Sequence, residues 1–193
     1  MRAKKRSSGA LAAASAPSAQ ASDGGAGLGP IVSSRHLAEG ASPALSEFEF
    51  GLTLVSHAFH RWMVRAMAAA GVADLSPLDA LVLHTIDHRG RKKKLADICL
   101  VLNIEDTHLV TYALKKLEQL DLVKGERVGK EKAVAITPAG RAVCLKYREV
   151  REALLVKAFG ATGFDEATMS SLAATMRALS GQYDQAARAA ASL

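Results

Sequence analysis

Apolar residues recur at three- and four-residue steps over most of the chain beyond about residue 46, and that period predicts helices. Leu52, Val55, Phe59, Trp62, Ala66 and Ala70 make the first stripe, with Met63 and Met67 beside it, and Gly71 stops it. The band is wide for a helix on the outside of a small domain and suits one packed on two sides, a partner subunit included. Ser76-Pro77-Leu78-Asp79 reads as a helix start: Ser76 caps, Pro77 suits the first helical position, and Asp79 reaches back as the third residue. Leu78, Leu81, Val82, Thr85 and Ile86 supply the buried face, and Gly90 ends the helix. A short helix follows with Leu95, Ile98, Cys99 and Leu102 inward and Asn103 as its terminator.

The next helix runs from about Glu105 to Leu120 with Val110, Ala113, Leu114 and Leu117 as its core stripe. Thr107, His108, Thr111, Tyr112 and Lys115 are left on its outer face. Leu122-Val123 and Val134-Ala135-Ile136 are short strand candidates, joined by a polar, glycine-bearing hairpin over 124–132. Thr137-Pro138 repeats the cap-then-proline signal ahead of a helix carrying Val143, Tyr147, Val150, Leu154 and Ala158. Gly160 and Gly163 break it. Phe164-Asp165 opens a last helix whose seam of Met169, Leu172, Met176, Leu179 and Tyr183 has a coiled-coil-like spacing.

Residues 1–45 differ in kind. A basic start, Arg2, Lys4, Lys5 and Arg6, leads into an Ala/Ser/Gly/Pro stretch with almost no large side chain to bury, so a disordered tail is expected there. The start resembles a targeting leader, but Ala10 to Ala16 holds a single Leu, too weak for a secretory core. The expected organisation is a 1–45 tail followed by one domain over 46–190.

The 193 residues are 49% hydrophobic, enough for a core, and only 5% aromatic, which with the alanine content favours helices over a β-sandwich. No apolar run reaches the roughly 20 residues that span a bilayer, so no membrane role is expected. Two cysteines make no disulfide framework, and reduced thiols and a cytoplasmic location are the expectation. The net charge of +6 is unevenly spread: +3 over 1–45, +4 over 46–160 and −1 over 161–193. Only the middle segment is thus a candidate nucleic-acid surface within the folded part.

The order helix, helix, short helix, helix, hairpin, helix, helix places a winged helix-turn-helix over about Ser76 to Ile136. Such a unit lays one helix in the major groove while a basic hairpin reaches the flanking backbone or minor groove. The expected fold class is mainly α with a small two- or three-stranded wing, flanked by dimerisation helices. Thr107, His108, Thr111, Tyr112 and Lys115 are the candidate reading face. Arg127, Lys130 and Lys132 are the candidate wing contacts, and Arg91, Lys92, Lys93 and Lys94 the candidate backbone contacts, with Arg89 and Lys116 as further cations. Glu105, Asp106, Glu118 and Glu131 dilute this patch.

Leu95-Ala96-Asp97, Leu102-Asn103-Ile104, Val110 through Leu117, Leu122-Val123 and Ile136-Thr137-Pro138-Ala139-Gly140-Arg141 together resemble the multiple-antibiotic-resistance regulator (MarR) family. The resemblance covers about Phe48 to Tyr183. It implies a dimeric winged-helix transcription regulator whose first and last two helices form the dimer interface, with a small-molecule or oxidant effector that the sequence does not identify. Tyr112 stands where the family usually has Arg. Lys130 stands at the wing tip where the family has an arginine braced by an aspartate.

Three other chemistries find less support in the sequence. His84 and His88, with Asp87 adjacent, and His57 with His60 have helical spacing for metal ligands, but no third and fourth ligand follows by spacing, and no metal or other cofactor is expected. Cys99 reads as a buried structural thiol, whereas Cys144, near a helix start, is a candidate oxidant sensor. No nucleophile elbow, phosphate-cradling glycine loop or His-Glu-x-x-His motif is present, and an enzyme is not expected. Two functions stay open: a homodimeric, sequence-specific regulator bound to double-stranded DNA, and a winged-helix protein-interaction module.

Overall fold

The computed structural model describes residues 29–128, 131–163 and 165–193. The described residues divide into two compact units, one ending at Gly51 and one beginning at Leu52. In the first, a four-residue helix α1 (Arg35–Ala38) precedes the start of α2 (Pro43–Ala69), and the Ser46 hydroxyl donates to the Leu37 carbonyl at 2.6 Å. Residues 1–28, with the basic start, lie outside the described residues. The first long helix begins at Pro43, three residues ahead of the onset expected near residue 46.

The second unit holds the remainder of α2, then α3 (Pro77–Asp87), α4 (Leu95–Leu102), α5 (Thr107–Gln119), the strands β1 (Val123–Val128) and β2 (Glu131–Ile136), α6 (Pro138–Val150), a π-helical stretch Arg151–Val156, α7 (Lys157–Gly160) and α8 (Glu166–Ala190). The start of α3 is the one its sequence announces. The Ser76 side chain accepts from the Asp79 N–H at 3.1 Å, Asp79 Oδ2 accepts from the Ser76 N–H at 2.8 Å, and Pro77 is the first helical residue. Such a reciprocal cap is worth about 1 kcal/mol. The helix ends three residues earlier than Gly90 suggests. A 3₁₀ turn over His88–Gly90 follows, with Arg89 in the left-handed region at φ 60°. Asn103 ends α4 in the same region, at φ 54°.

The core gathers Met67, Leu83, Ile86, Ile98, Val110, Leu117 and Val123, all essentially without exposed surface, and Leu122 and Tyr147 lie at its edges. It binds α3, α4, α5, α6 and the hairpin into one winged helix-turn-helix. The strands are longer than the sequence pattern indicates, because a two-stranded ladder needs only its backbone, and Lys124, Arg127 and Lys132 stay on accessible faces. Pairing is antiparallel, from Val123 opposite Ile136 to Val128 opposite Glu131. Lys93 adds an isolated bridge to Val134 through two backbone bonds of 2.9 and 2.8 Å, so the wing carries a third, one-residue edge.

The outer helices are covered unevenly. Of the apolar residues of α2 only Met63, Ala66 and Met67 are buried, whereas Leu52, Val55 and Phe59 of the same stripe are exposed. No residue of α8 is buried, and its seam of Met169, Leu172, Met176 and Tyr183 lies open. The stripe was expected to be covered on both sides, and within one chain it is not. Helix α8 also continues past Tyr183 to Ala190, in an alanine-rich stretch that favours helix without needing contacts.

The turn from β2 into α6 is the tightest joint. The Thr137 hydroxyl donates to the carbonyls of Asp121 and Leu122 at 2.6 and 3.0 Å, and accepts from the Gly140 N–H at 2.9 Å. A Cβ at Gly140 would lie 2.0 Å from the Leu122 carbonyl oxygen, a backbone atom that has no room to yield. Gly140→Ala is therefore expected to lower the unfolding free energy by about 3 kcal/mol, read as a fall in the urea midpoint. An unchanged midpoint would show that this joint is loose.

Candidate nucleic-acid interface

Helix α5 turns its apolar side inward by period alone. Val110, Ala113 and Leu117 are buried against α3 and α4, while Leu114 is half-buried. Asp106 caps it, accepting from the His108 N–H at 2.9 Å. Of the five residues assigned to the reading face, Thr107, His108, Tyr112 and Lys115 are exposed, Tyr112 at 68%. Thr111 is half-buried, and its hydroxyl donates to the Thr107 carbonyl at 2.9 Å, an internal bond it must share or exchange to meet a base. The Lys115 ammonium stands 5.8 Å from the Tyr112 ring centre, within cation–π range, so the two side chains act as one unit on the helix surface. Leu109 is also half-exposed on this side, which the helical stripe had left unassigned.

Lys116 has a different job from the one its charge suggests. Its ammonium pairs with Asp79 at 3.1 Å and also donates to the Asp74 carbonyl, so it ties α5 to the start of α3. Asp79, already used in the cap, is buried, and Lys116 is its counter-charge. The sequence offered no sign of this, since charge alone does not say which side of a helix a neighbour occupies.

The hairpin stands beside α5. Arg127 and Lys132 are exposed and directly opposite each other in the ladder. Two like charges so placed destabilise a strand pair slightly and leave the site ready for an anion. Lys130 lies outside the described residues. An open cleft of about 530 Å³ runs between helix and hairpin, lined by Thr111, Lys115, Glu118, Glu126, Arg127 and Lys132 over an apolar floor that includes Leu114 and Val134.

The basic connection before α4 is less uniform than its sequence. Arg91 is exposed. Lys92 pairs with Glu126 of β1, which also pairs with Lys124 at 3.0 Å. Lys93 is half-buried in its bridge to Val134, and Lys94 is the residue before α4, its N–H donating to Asp97 Oδ2 at 3.3 Å. The cations of 91–94 thus point to different tasks rather than forming one patch.

The histidines and cysteines do not make a second centre. His84 packs edge-on against Tyr147 with ring centres 4.6 Å apart, and His88 lies beyond the helix end, exposed. Their four-residue spacing does not put them together because α3 stops at Asp87. Among the described residues no group of three or more His, Cys, Asp or Glu side chains is arranged to hold a metal ion. Cys144 is buried, and burial, assisted by the Asp87 carboxylate, pushes its thiol up to about 12. At neutral pH it carries almost no thiolate, so the oxidant-sensing reading of Cys144 is not supported by its surroundings. Arg141, which opposes that rise, is held at 3.3 Å by Asp87 and joins α6 to the end of α3.

Residues 75–140 match the family model of the winged helix DNA-binding domain. No curated protein matches the chain. Among solved structures it is similar to AbfR of Staphylococcus epidermidis, at 20% identity and TM-score 0.59, covering 73% of this chain and 92% of that one. It is also similar to NMB1585, a MarR family regulator from Neisseria meningitidis, at 19% identity and TM-score 0.58, covering 74% and 94%. CouR from Rhodococcus jostii RHA1, solved bound to p-coumaroyl-CoA, matches at 16% identity and TM-score 0.58, covering 68% and 90%. The fold is that of MarR family transcriptional regulators. Among the described residues no helix is long and apolar enough to cross a membrane.

His84 offers a direct check on the packing beneath the interface. Its Nε2 atom is buried without a hydrogen-bond partner, and burial lowers its pKa below 6.5 although Asp87 pulls the other way. Between that lowered value and 6.5 the unfolded chain takes up a proton that the folded chain refuses, so stability falls as pH drops through this window and is complete above it. Unfolding free energies measured from pH 7.5 to 5 should show this loss, and His84→Gln should remove its share. Equal pH profiles for the two proteins would contradict the buried, unpartnered ring.

Proposed function

We propose that the protein is a homodimeric, sequence-specific transcription regulator that binds duplex DNA with α5 in the major groove and the β1–β2 hairpin on the flanking backbone. The observation that carries this reading is the cleft between them. Lys115 on one wall faces Arg127 and Lys132 on the other, at the position where a phosphodiester strand leaves the groove beside a docked helix. His108, Thr111 and Tyr112 are then the base-facing residues. None offers the bidentate fork of an arginine, so each contributes single hydrogen bonds or apolar contact with a thymine methyl. Base discrimination is accordingly modest and leans on DNA shape as well. Arg91 and Lys130 extend the backbone contacts. The exposed apolar residues of α2, with those of the helices over 141–190, are the proposed dimer surface, since a single chain leaves Leu52, Val55, Phe59, Met169, Leu172 and Met176 in water.

A winged-helix protein-interaction module is the second reading. Its support is Leu100 and Val101, exposed at 82% and 70% on α4.

Selection of bound sequences from a random duplex pool separates the two. A regulator of this kind yields a palindromic consensus whose half-sites lie about one helical turn apart, roughly 34–36 Å. Against that consensus, His108→Ala or Thr111→Ala should shift preference by about 1–3 kcal/mol per affected base, whereas Lys115→Ala should weaken all duplexes alike. Recovery of no consensus, with both alanine variants indistinguishable from wild type, would favour the protein-interaction reading.

A further inference from the structure

The wing contains a carboxylate whose position runs against its surroundings. Glu126 lies on β1, lines the cleft with Thr111, Lys115, Arg127 and Lys132, and pairs with two lysines at once: Lys92 from the connection before α4 and Lys124 from its own strand. Its side chain is 22% exposed, while Lys92 and Lys124 are about half exposed, so the anion sits beneath the two cations. Both ammonium groups, Lys92 first, hold its carboxyl below the ordinary range, and it stays ionised wherever the protein would meet DNA.

We propose that Glu126 is an internal counter-ion that limits sequence-independent affinity for DNA, and so raises the share of binding that depends on sequence. The inference rests on the DNA-binding reading above and adds a residue that reading does not use. Three charges at one place, two positive and one negative, leave a net of one. For both lysines to neutralise phosphates, each must leave Glu126, or the carboxylate must ride with them to the polyanion. Either course returns much of what counterion release yields. Lys92 and Lys124 therefore contribute less to binding than a count of cations implies. The backbone term is left to Lys115, Arg127, Lys132 and Arg91, which make no ion pair among the described residues. A lower sequence-independent background raises the ratio of specific to non-specific affinity, the quantity that decides occupancy against a genome of competing sites. Glu126 would thus offset the absence of a bidentate reader on α5.

The test measures binding of wild type, Glu126→Gln and Glu39→Gln to a random-sequence duplex and to the selected consensus, from 50 to 300 mM salt. Glu39→Gln makes the same change in net charge at a carboxylate paired with Arg35, and so reports the effect of overall charge alone. Glu126→Gln should steepen the salt slope on the random duplex by about one ion and tighten that binding about fivefold near 0.15 M salt. The consensus should gain less, so the ratio of specific to non-specific affinity falls, and an equal gain on both duplexes would overturn the claim that Glu126 favours sequence-dependent binding. Lys92→Gln should change the slope little in wild type but return it toward the wild-type value when combined with Glu126→Gln, which separates counter-ion release from damage to the wing. If Glu126→Gln matches wild type or Glu39→Gln on the random duplex, the proposal is overturned. Should wild type still bind its consensus in that case, the DNA-binding reading stands. If neither wild type nor Glu126→Gln binds any duplex, both are overturned.

Discussion

Leu117 lies with no exposed surface where α5 meets α3, one turn and two turns along from Ala113 and Val110, and this seam sets how far α5 stands from the domain and which residues it turns outward. Hydrophobic burial is non-directional, so on its own it lets a helix slide or rotate by part of a turn. The Lys116–Asp79 pair supplies direction. It fixes one point on α5 to the capped end of α3, and Asp79 is itself fixed by its bond to the Ser76 N–H. Removing Lys116 would leave a buried carboxylate with one fewer partner, so the brace and the seam depend on each other. The rotation they settle puts His108, Tyr112 and Lys115 on the open side.

A second joint does the same for the wing. Thr137 and Gly140 lock the start of α6 against the strand entry at Leu122, and Lys93 bridges Val134 from the other edge. The hairpin is consequently held at its base from two directions while Arg127 and Lys132 project at its far end. Lys115 on α5 and two cations on a clamped hairpin make a cleft of fixed width, and a fixed width favours duplexes whose groove shape matches it. Glu126 tempers that cleft from within.

Much of this was legible in the sequence because it rests on short-range rules. The Ser76 cap with Pro77 and Asp79, the Asn103 terminator, the Val110–Leu117 stripe and the Thr137-Pro138 start each follow from residues within one or two turns, and each is found where the pattern put it. The ends of elements were less legible. The strands extend through polar residues because ladder pairing is indifferent to them, and α3 stops before Gly90 because the backbone already leaves the helical region at His88. Least legible were the roles of individual charges. Lys92, Lys115 and Lys116 look alike in sequence, yet one pairs with Glu126, one lies against Tyr112 and one braces α3. The partners of Lys92 and Lys116 lie 34 and 37 positions away, where no local pattern encodes them, whereas Tyr112 stands three positions from Lys115 on the same helix. Likewise His84 and His88 share a helical spacing but not a helix, and Cys144 has a helix start nearby but a buried, unreactive setting.

The central claim is that duplex DNA occupies the cleft between α5 and the β1–β2 hairpin. Backbone amide chemical shifts followed as a duplex is added test it residue by residue. The account predicts shifts concentrated at Thr107 to Lys115, at Glu126, Arg127 and Lys132 and around Arg91, with the outer face of α8 unaffected. Shifts centred instead on Leu100 and Val101 of α4, or spread evenly over exposed lysines and arginines without regard to the cleft, would contradict it.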